Sequence, residues 1–259
     1  MKLLKTLMGI EEAVEVLKED QKPKRSMHPL VDQFRCLDLQ EMTPHRRNSK
    51  EFTNIEKYLH GSRGATHSIN YDIRNIFRVR RKGESERFEA FDASKTNSDR
   101  RLLWHDSRLT NYDGILRQGL RIAPPEAPMT SYMFGKGIYL TEMSSKSAGY
   151  CYHTACGGEA LLLLCEAELG DPFQELMDAD FYAAENAKRQ GMYSTRGVGR
   201  TGPARWIDAG IIHKDLEGVR MPDTESIVRD TRTQRLALNY NGYICYDTAQ
   251  VKLHYLFRV

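Results

Sequence analysis

The sequence has no long apolar segment and almost no excess of charge of one sign. Its longest apolar run is Ala160–Cys165, far shorter than the roughly 20 residues of a transmembrane helix. Met1–Ile10 contains two lysines but neither a sustained apolar core nor a small-residue cleavage site. We therefore expect no membrane span and no signal peptide. Lys and Arg number 38, and Asp and Glu number 35. The resulting formal charge of +3 does not favour a general nucleic-acid-binding protein.

Cysteine is scarce, and its spacing indicates neither a disulfide framework nor a metal site. The five cysteines among 259 residues are Cys36, Cys151, Cys156, Cys165 and Cys245. An odd, dispersed set in a chain of this length predicts reduced thiols in an intracellular protein, cytoplasmic or nuclear. Cys151, His153 and Cys156 resemble half of a zinc site. No second half with zinc spacing follows, so we expect no metal.

An amphipathic helix is predicted at the start of the chain. Apolar residues recur there at helical spacing, at Leu3, Leu7, Ile10, Val14 and Leu17. The helix is expected to end near Asp20, because the basic tetrad Lys22–Arg25 contains Pro23. That tetrad is either a nuclear address or a solvated linker.

Short strand patterns and few helices predict an α+β fold. Ile76–Arg81 is predicted as a strand, with a turn at Lys82–Glu84 and Arg87–Phe91 as its returning partner. Further strands are predicted at Ala160–Leu169, Tyr243–Asp247 and Val251–Val259.

Two helices are predicted near the middle of the chain. Asn111–Gln118 is expected to end at Gly119, and Ser144 is expected to cap a helix through Tyr152. Phe173–Thr233 is polar and irregular, and so long a stretch in a compact domain is usually functional or mobile.

Three segments contain residues suited to binding and chemistry. Leu103–Arg108 places a His and a Ser at the end of an apolar run, and Tyr132–Tyr139 combines glycines with aromatic faces. Ser145–Tyr150 places a hydroxyl and an aromatic ring on one helix face. Taken singly, each also fits an ordinary structural role: a core histidine, a turn and a capped helix.

Taken together, the segments closely resemble the catalytic domain of the poly(ADP-ribose) polymerases. The resemblance is nearly continuous over Arg101–Tyr152 and resumes at Ala160–Gly170 and Tyr243–Leu256. It implies an ADP-ribosyltransferase fold: a split, mostly antiparallel sheet with flanking helices and with NAD, as co-substrate, in the cleft. It also implies two parts: residues 1–28, an N-terminal helix left from a helical regulatory domain plus a linker, and residues 29–259, the catalytic domain.

The resemblance also implies roles for individual residues. His105, Asp106, Tyr139 and Lys146 are the candidate catalytic residues. On the adenosine side of NAD, His105 is expected at the adenine ribose, and Ser107, Asn111 and Arg121 along the adenosine. The backbone of Asp106 and the hydroxyl of Ser147 are expected to bind the nicotinamide amide. Tyr150 and Tyr139 are expected on the two faces of the nicotinamide ring. Lys146 is expected beside the reacting centre.

The sequence departs from the family pattern at two positions. Gly242 stands where the polymerising members have a glutamate before a Tyr-Ile-x-Tyr-Asp run, here Tyr243–Asp247. Asp106 stands where the family usually has glycine. Its side chain either points away from the cleft or supplies a carboxylate that partly replaces the missing one.

The retained His105, Tyr139, Ser147 and Tyr150 support a transferase, and the missing glutamate at Gly242 predicts a mono-ADP-ribosyltransferase that transfers one ADP-ribose and makes no polymer. The acceptor is a protein side chain, a small molecule or a nucleic-acid end. The alternatives are a catalytically inactive module that binds NAD or ADP-ribose, and an NAD glycohydrolase. Because most of the regulatory helical domain is not recognised in the sequence, we expect no dependence on DNA.

Overall fold

The computed structural model describes residues 34–67, 69–91, 97–123, 132–148, 159–229 and 236–259. Its helices are α1 (Lys50–Gly61), α2 (Glu84–Glu89), α3 (Tyr112–Gln118), α4 (Ser144–Ala148) and α5 (Ala183–Arg189). Its strands are β1 (Leu39–Pro44), β2 (Asn75–Arg81), β3 (Arg100–Asp106), β4 (Ile138–Leu140), β5 (Leu161–Glu168), β6 (Gln174–Leu176), β7 (Ser194–Gly197), β8 (Gly199–Pro203), β9 (Trp206–Asp208), β10 (Arg220–Pro222), β11 (Ile227–Arg229), β12 (Leu238–Tyr240), β13 (Gly242–Cys245) and β14 (Val251–Arg258). Short 3-10 turns span Leu109–Asn111, Ala209–Ile211, Lys214–Leu216 and Thr248–Gln250. The helix predicted at Leu3–Leu17 lies outside the described residues.

The strands form three sheets. The largest has the order β1-β2-β14-β5-β3-β10-β9, the second the order β4-β13-β7-β6 and the third the order β11-β8-β12. Pairing is antiparallel except between β10 and β3, β12 and β8, and β6 and β7. Sheets dominate and a few helices flank them, which confirms the predicted α+β class and the split, mostly antiparallel arrangement.

Alternating residues of the central strands build two hydrophobic layers, one on each face of the large sheet. In β3, Leu102 and Trp104 belong to one layer and Leu103 to the other, as the period-two geometry of a strand requires. Helix α1 covers the first face and α3 covers the second. A buried tyrosine hydroxyl of each helix donates to the sheet: Tyr58 to the Leu102 carbonyl at 3.0 Å and Tyr112 to the Leu161 carbonyl at 2.5 Å.

The returning strand predicted at Arg87–Phe91 is wrong. Both neighbours of β2 are already present, β1 on one side and β14 on the other, so this segment has no edge to pair with. Instead Gly83, in the left-handed region at φ 69°, begins α2. Glu84 at its start is buried and accepts hydrogen bonds from Arg81 and from the Leu253 backbone N–H. These bonds fix the helix against the sheet.

The other element predictions have mixed outcomes. The strand predicted at Ala160–Leu169 is β5, which is buried along its whole length, and α3 ends at Gly119 with φ 80°. Ser144 does not cap α4: it is the first helical residue, and its hydroxyl donates to the Leu59 carbonyl at 2.8 Å. Within the described ranges, no helix is long and apolar enough to span a membrane.

Candidate active site

The candidate site lies where the two larger sheets separate. Arg101 in the first half of β3 pairs with β10. Near the end of β3, Trp104 instead exchanges two backbone hydrogen bonds with Thr141, which follows β4. The Trp104 N–H donates at 2.8 Å and the Thr141 N–H at 3.0 Å. This bridge ties the sheets at one point, beyond which the chain continues into His105 and Asp106.

A cavity of about 530 Å³ opens beside this bridge, within the size range of small-molecule sites. Seven of the predicted site residues line it together with Gly242: His105, Asp106, Ser107, Asn111, Tyr139, Lys146 and Ser147. Arg121 is exposed and is not among the lining residues. Tyr150 lies outside the described residues. The roles of both remain predictions.

His105 has one ring nitrogen hydrogen-bonded to the protein, and the other has no partner among the described residues. Its Nδ1 lies 2.8 Å from the Tyr139 carbonyl oxygen. A carbonyl only accepts, so Nδ1 carries the proton that is donated. Burial lowers the pKa of His105, and the hydrogen bond opposes the shift. A neutral ring with a proton on Nδ1 leaves Nε2 as an acceptor, which suits a hydroxyl such as that of a ribose.

The Asp106 side chain faces the Ser147 hydroxyl. Ser147 Oγ donates to Asp106 Oδ1 at 2.8 Å, and both residues line the cavity. Of the two alternatives for Asp106, this geometry favours a carboxylate within the cleft. This hydrogen bond uses the Ser147 hydroxyl proton, which we expected to be donated to the nicotinamide amide. A bound amide would compete with Asp106 for that proton.

Tyr139 is held by the glycine turn that precedes it. Its hydroxyl donates to the Gly135 carbonyl at 2.7 Å and accepts from the Phe134 N–H at 3.0 Å. Gly135 has φ 74°, a conformation that suits glycine. The turn therefore fixes the tyrosine ring, which lines the cavity.

Lys146 and Gly242 face each other across the cavity wall. A Cβ atom built on Gly242 would lie 3.3 Å from Lys146 Nζ, so a side chain at this position points toward the amine. Lys146 Nζ donates to the carbonyls of Tyr240 and Asn241, at 2.8 Å each. Burial lowers the pKa of Lys146 to about 8, and the charge of Glu142 opposes this shift.

Sequence reasoning assigned no role to two polar residues behind Lys146. Glu142 is fully buried and accepts a hydrogen bond from Asn241 Nδ2 at 2.9 Å. Burial raises the pKa of Glu142 to about 7, whereas the charge of Lys146 acts in the opposite direction. The available signal was position alone, because Asn241 directly precedes Gly242 and Glu142 precedes Lys146 by four residues.

Metal ligation has no visible basis in the described part of the chain. No group of three or more His, Cys, Asp or Glu side chains there has the geometry to hold an ion. Cys151, His153 and Cys156, the partial match noted in the sequence, lie outside the described residues.

Comparison with known proteins identifies a family that this chain matches. The model of the family described as "Poly(ADP-ribose) polymerase catalytic domain" matches residues 49–259. Poly [ADP-ribose] polymerase 2 of Zea mays is 40% identical over 260 residues, which cover 100% of this chain and 38% of the relative. Its counterpart from Arabidopsis thaliana is 40% identical over 264 residues, with 100% and 38% coverage.

A more distant relative shows the same relation between lengths. Poly [ADP-ribose] polymerase of Drosophila melanogaster is 39% identical over 259 residues, which cover 99% of this chain and 24% of the relative. The chain thus spans about two fifths or less of the length of these curated relatives. The match over residues 49–259 falls within the part predicted as catalytic, residues 29–259.

Proposed function

The chain belongs to the poly(ADP-ribose) polymerase catalytic domain family, and from this premise we propose that it is an NAD-dependent mono-ADP-ribosyltransferase. It would cleave the bond between nicotinamide and ribose and transfer a single ADP-ribose to an acceptor. The relatives are named as polymerases, so the restriction to one unit is the part of the proposal that goes against their names.

One observation carries that restriction: the cavity has no carboxylate at Gly242. Gly242 lines the cavity, and the atom nearest to a Cβ built there is Lys146 Nζ, at 3.3 Å. The resemblance implies that a glutamate at this position hydrogen-bonds the nicotinamide ribose and positions an acceptor hydroxyl for chain elongation. Loss of one preorganised contact of this kind costs about 10²–10³ in rate. Such a loss slows the cleavage of NAD but leaves it measurable.

The remaining residues fit the requirements of the cleavage step. The carbon–nitrogen bond breaks with its electron pair going to nicotinamide, and positive charge develops on the ribose, as in glycoside hydrolysis. His105 would orient the adenine ribose through Nε2. Ser147 would hold the nicotinamide amide, and the Tyr139 ring would cover its cationic ring at about 0.5–2 kcal/mol. Asp106 would place negative charge near the developing cation.

The acceptor is proposed as a protein side chain, with a small molecule or a nucleic-acid end as further possibilities. The absence of a side chain at Gly242 leaves space beside the predicted position of the ribose. An acceptor that brings its own acid or base into this space would compensate for the missing glutamate.

The test is to incubate purified protein with NAD alone and with NAD plus a cell extract. Nicotinamide release is measured by chromatography, and products are identified by mass spectrometry. We expect release that depends on the extract, and a product heavier by one ADP-ribose. His105→Ala is the control that should abolish release. Chains longer than one unit would contradict the proposal.

Two alternatives are separated by the same experiment. An inactive binding module is favoured by the Ser147–Asp106 hydrogen bond, since it occupies the hydroxyl needed for nicotinamide. It predicts NAD binding without release. An NAD glycohydrolase is favoured by the space at Gly242, which admits water. It predicts release and free ADP-ribose with NAD alone.

A further inference from the structure

Asn241 joins three parts of the site through four hydrogen bonds. Its Oδ1 accepts from the Gly199 N–H at 2.8 Å, and its Nδ2 donates to Glu142 Oε1 at 2.9 Å. Its backbone carbonyl accepts from Thr141 Oγ1 at 2.9 Å and from Lys146 Nζ at 2.8 Å. The residue directly before Gly242 is therefore fixed at its side chain and at its backbone.

Strand β8 packs against this residue without space for side chains at two positions. A Cβ on Gly199 would lie 2.5 Å from the Asn241 backbone nitrogen, and a Cβ on Gly202 would lie 2.4 Å from Asn241 Nδ2. Real contacts of this kind are not shorter than about 3 Å, so only glycine allows the close approach. The strand thereby limits the rotation of the Asn241 amide and keeps Nδ2 directed at Glu142.

Glu142 is a buried acid with one oxygen hydrogen-bonded to Asn241. Its other oxygen, Oε2, is also buried and accepts no hydrogen bond from the residues that the structure describes. A buried polar atom of this kind carries a free-energy cost. Such a cost is retained more readily at a functional position than in a core, where an apolar residue would serve.

Resting on the proposed function, we propose that Glu142 and Asn241 are positioning residues that hold the Lys146 amine beside Gly242. Asn241 supplies one of the two carbonyls that fix Nζ, and Glu142 fixes Asn241. Glu142 also supplies the negative charge that keeps Lys146 protonated in a buried setting. A protonated Lys146 has three N–H donors, of which two are held by the carbonyls of Tyr240 and Asn241. The third is thereby kept in position to donate to an oxygen of the ribose and orient it, although Gly242 offers no carboxylate.

Other titratable groups among the described residues also interact with this pair. His67 interacts with Lys146, and its own pKa is lowered by burial and by the lysine charge. The positive charge of Arg101 acts on Glu142, and the negative charge of Glu142 raises the pKa of Tyr58 and Tyr243 beyond the effect of burial. Glu142 is the carboxylate that raises the pKa of Lys146.

The decisive measurement is the titration of Lys146 in the intact chain, which does not require enzymatic activity. The rate of amine acylation at Lys146 is followed against pH by peptide mass spectrometry. In the wild type we expect a midpoint near the pKa of about 8. Glu142→Gln keeps the hydrogen bond to Asn241 but removes the charge, so the midpoint should move to lower pH. An unchanged midpoint would overturn the proposal.

The matched control is Glu168→Gln. Glu168 is also a buried glutamate, and it accepts from the backbone N–H groups of Asp99 and Gly170. It does not line the cavity. This variant should leave the Lys146 midpoint unchanged, which separates the effect of Glu142 from a general loosening of the fold.

Asn241→Ala tests the hydrogen-bonded link and serves also if Glu142→Gln does not fold. We expect Lys146 acylation to become several-fold faster, because the backbone carbonyl that holds Nζ is no longer fixed. We also expect kcat for nicotinamide release to fall about 10²-fold with little change in KM for NAD, as small displacements of a reacting group can cause. Acylation and kcat at wild-type values would refute the positioning role. Absence of release from the wild type, with the midpoint shift present, would instead refute only the proposed function.

Discussion

Two buried groups of charged residues differ in how their charges are compensated. Glu166, on the large sheet, is 1% exposed and lies 2.8 Å from His254 Nε2 and 3.1 Å from Lys252 Nζ. Although burial alone would raise the pKa of Glu166, these partners hold it below its usual value. At the cavity, Lys146 is hydrogen-bonded to two carbonyls, and Glu142 to an amide.

The two arrangements shift the pKa of a buried glutamate in opposite directions. Direct ion pairs stabilise the charged forms in the sheet, whereas burial without such pairs favours the neutral forms of Lys146 and Glu142, with pKa values of about 8 and 7. Shifts of the second kind are typical of functional sites. The comparison therefore distinguishes ion pairs that stabilise the fold from the shifted groups Lys146 and Glu142, for which we propose a role in the reaction.

The largest effect is expected from breaking a fully paired buried group. Asp99 is 2% exposed and binds the guanidinium groups of Arg101 and Arg220 at 2.7 Å and 2.6 Å. Asp99→Ala leaves Arg101 buried with its ion-pair partner removed, so the free energy of unfolding should fall by about 3–5 kcal/mol. Urea denaturation measures the change. Asp113→Ala removes the exposed pair with Arg117 and should cost less than about 0.5 kcal/mol.

The opposite outcome is expected at the cavity. Lys146→Met should reduce nicotinamide release by about 10²-fold, because the amine no longer orients the ribose and a small misplacement of a reactant can cost that much. Its effect on the free energy of unfolding should be smaller than that of Asp99→Ala, because the change breaks no direct ion pair of Lys146 with a described residue. Lys57→Met, which removes an exposed lysine paired with Glu225, should change neither quantity. A Lys146 variant that is unstable but fully active would contradict the expectation that this residue contributes to activity more than to stability.

A smaller effect concerns the pH dependence of folding. The lowered pKa of Glu166 contributes stability above its ordinary value of 4.5, and this is lost as the pH falls through the folded-state pKa. The raised pKa of Glu142 means that the folded protein holds a proton between pH 4.5 and about 7 that the unfolded chain has lost. Stability from this group therefore decreases as the pH rises across that range.

Urea midpoints measured across pH would distinguish these two slopes. Glu142→Gln should remove the decrease between pH 4.5 and 7, whereas Glu166→Gln should weaken the loss of stability in acid. If both variants changed the urea midpoint over the same pH range, the contrast between Glu142 and Glu166 would be wrong.

The smallest effect is expected at Asp106. Asp106→Asn keeps an oxygen that accepts the Ser147 hydroxyl but removes the negative charge. Nicotinamide release should fall by about tenfold, less than the roughly 10²–10³-fold loss typical of a fully preorganised contact, with unchanged stability. Equal turnover of variant and wild type would show that the Asp106 carboxylate does not stabilise the reacting ribose.

Most of the residues predicted for the site line one cavity, because they are consecutive on short segments. His105, Asp106 and Ser107 follow one apolar strand, and Lys146 and Ser147 share one helix. Residues that are neighbours on one strand or helix lie close together irrespective of how the other segments pack. The cavity therefore contains seven of the eight NAD-binding or catalytic residues that were predicted within the described chain.

What the sequence could not predict depended on contacts between distant segments. Glu142 and Asn241 are 99 residues apart, and no periodicity relates them. Arg87–Phe91 had the pattern of a strand, but β14 had already taken the edge of β2. Arg121 was carried over by resemblance, and its side chain is exposed outside the cavity. In the first two cases the deciding partner lies far away along the chain.

The two-bond bridge between Trp104 and Thr141 provides a means of observing the cleft directly. Both amide protons are enclosed between the two sheets, so they exchange with deuterated solvent only when the sheets part. Their exchange rates therefore report how often the cleft opens. Slower exchange on addition of NAD would indicate a cleft that closes around its ligand, and faster exchange would indicate one that is pushed apart. Hydrogen exchange at these two amides therefore measures the opening of the cleft without a spectroscopic label and without enzymatic turnover.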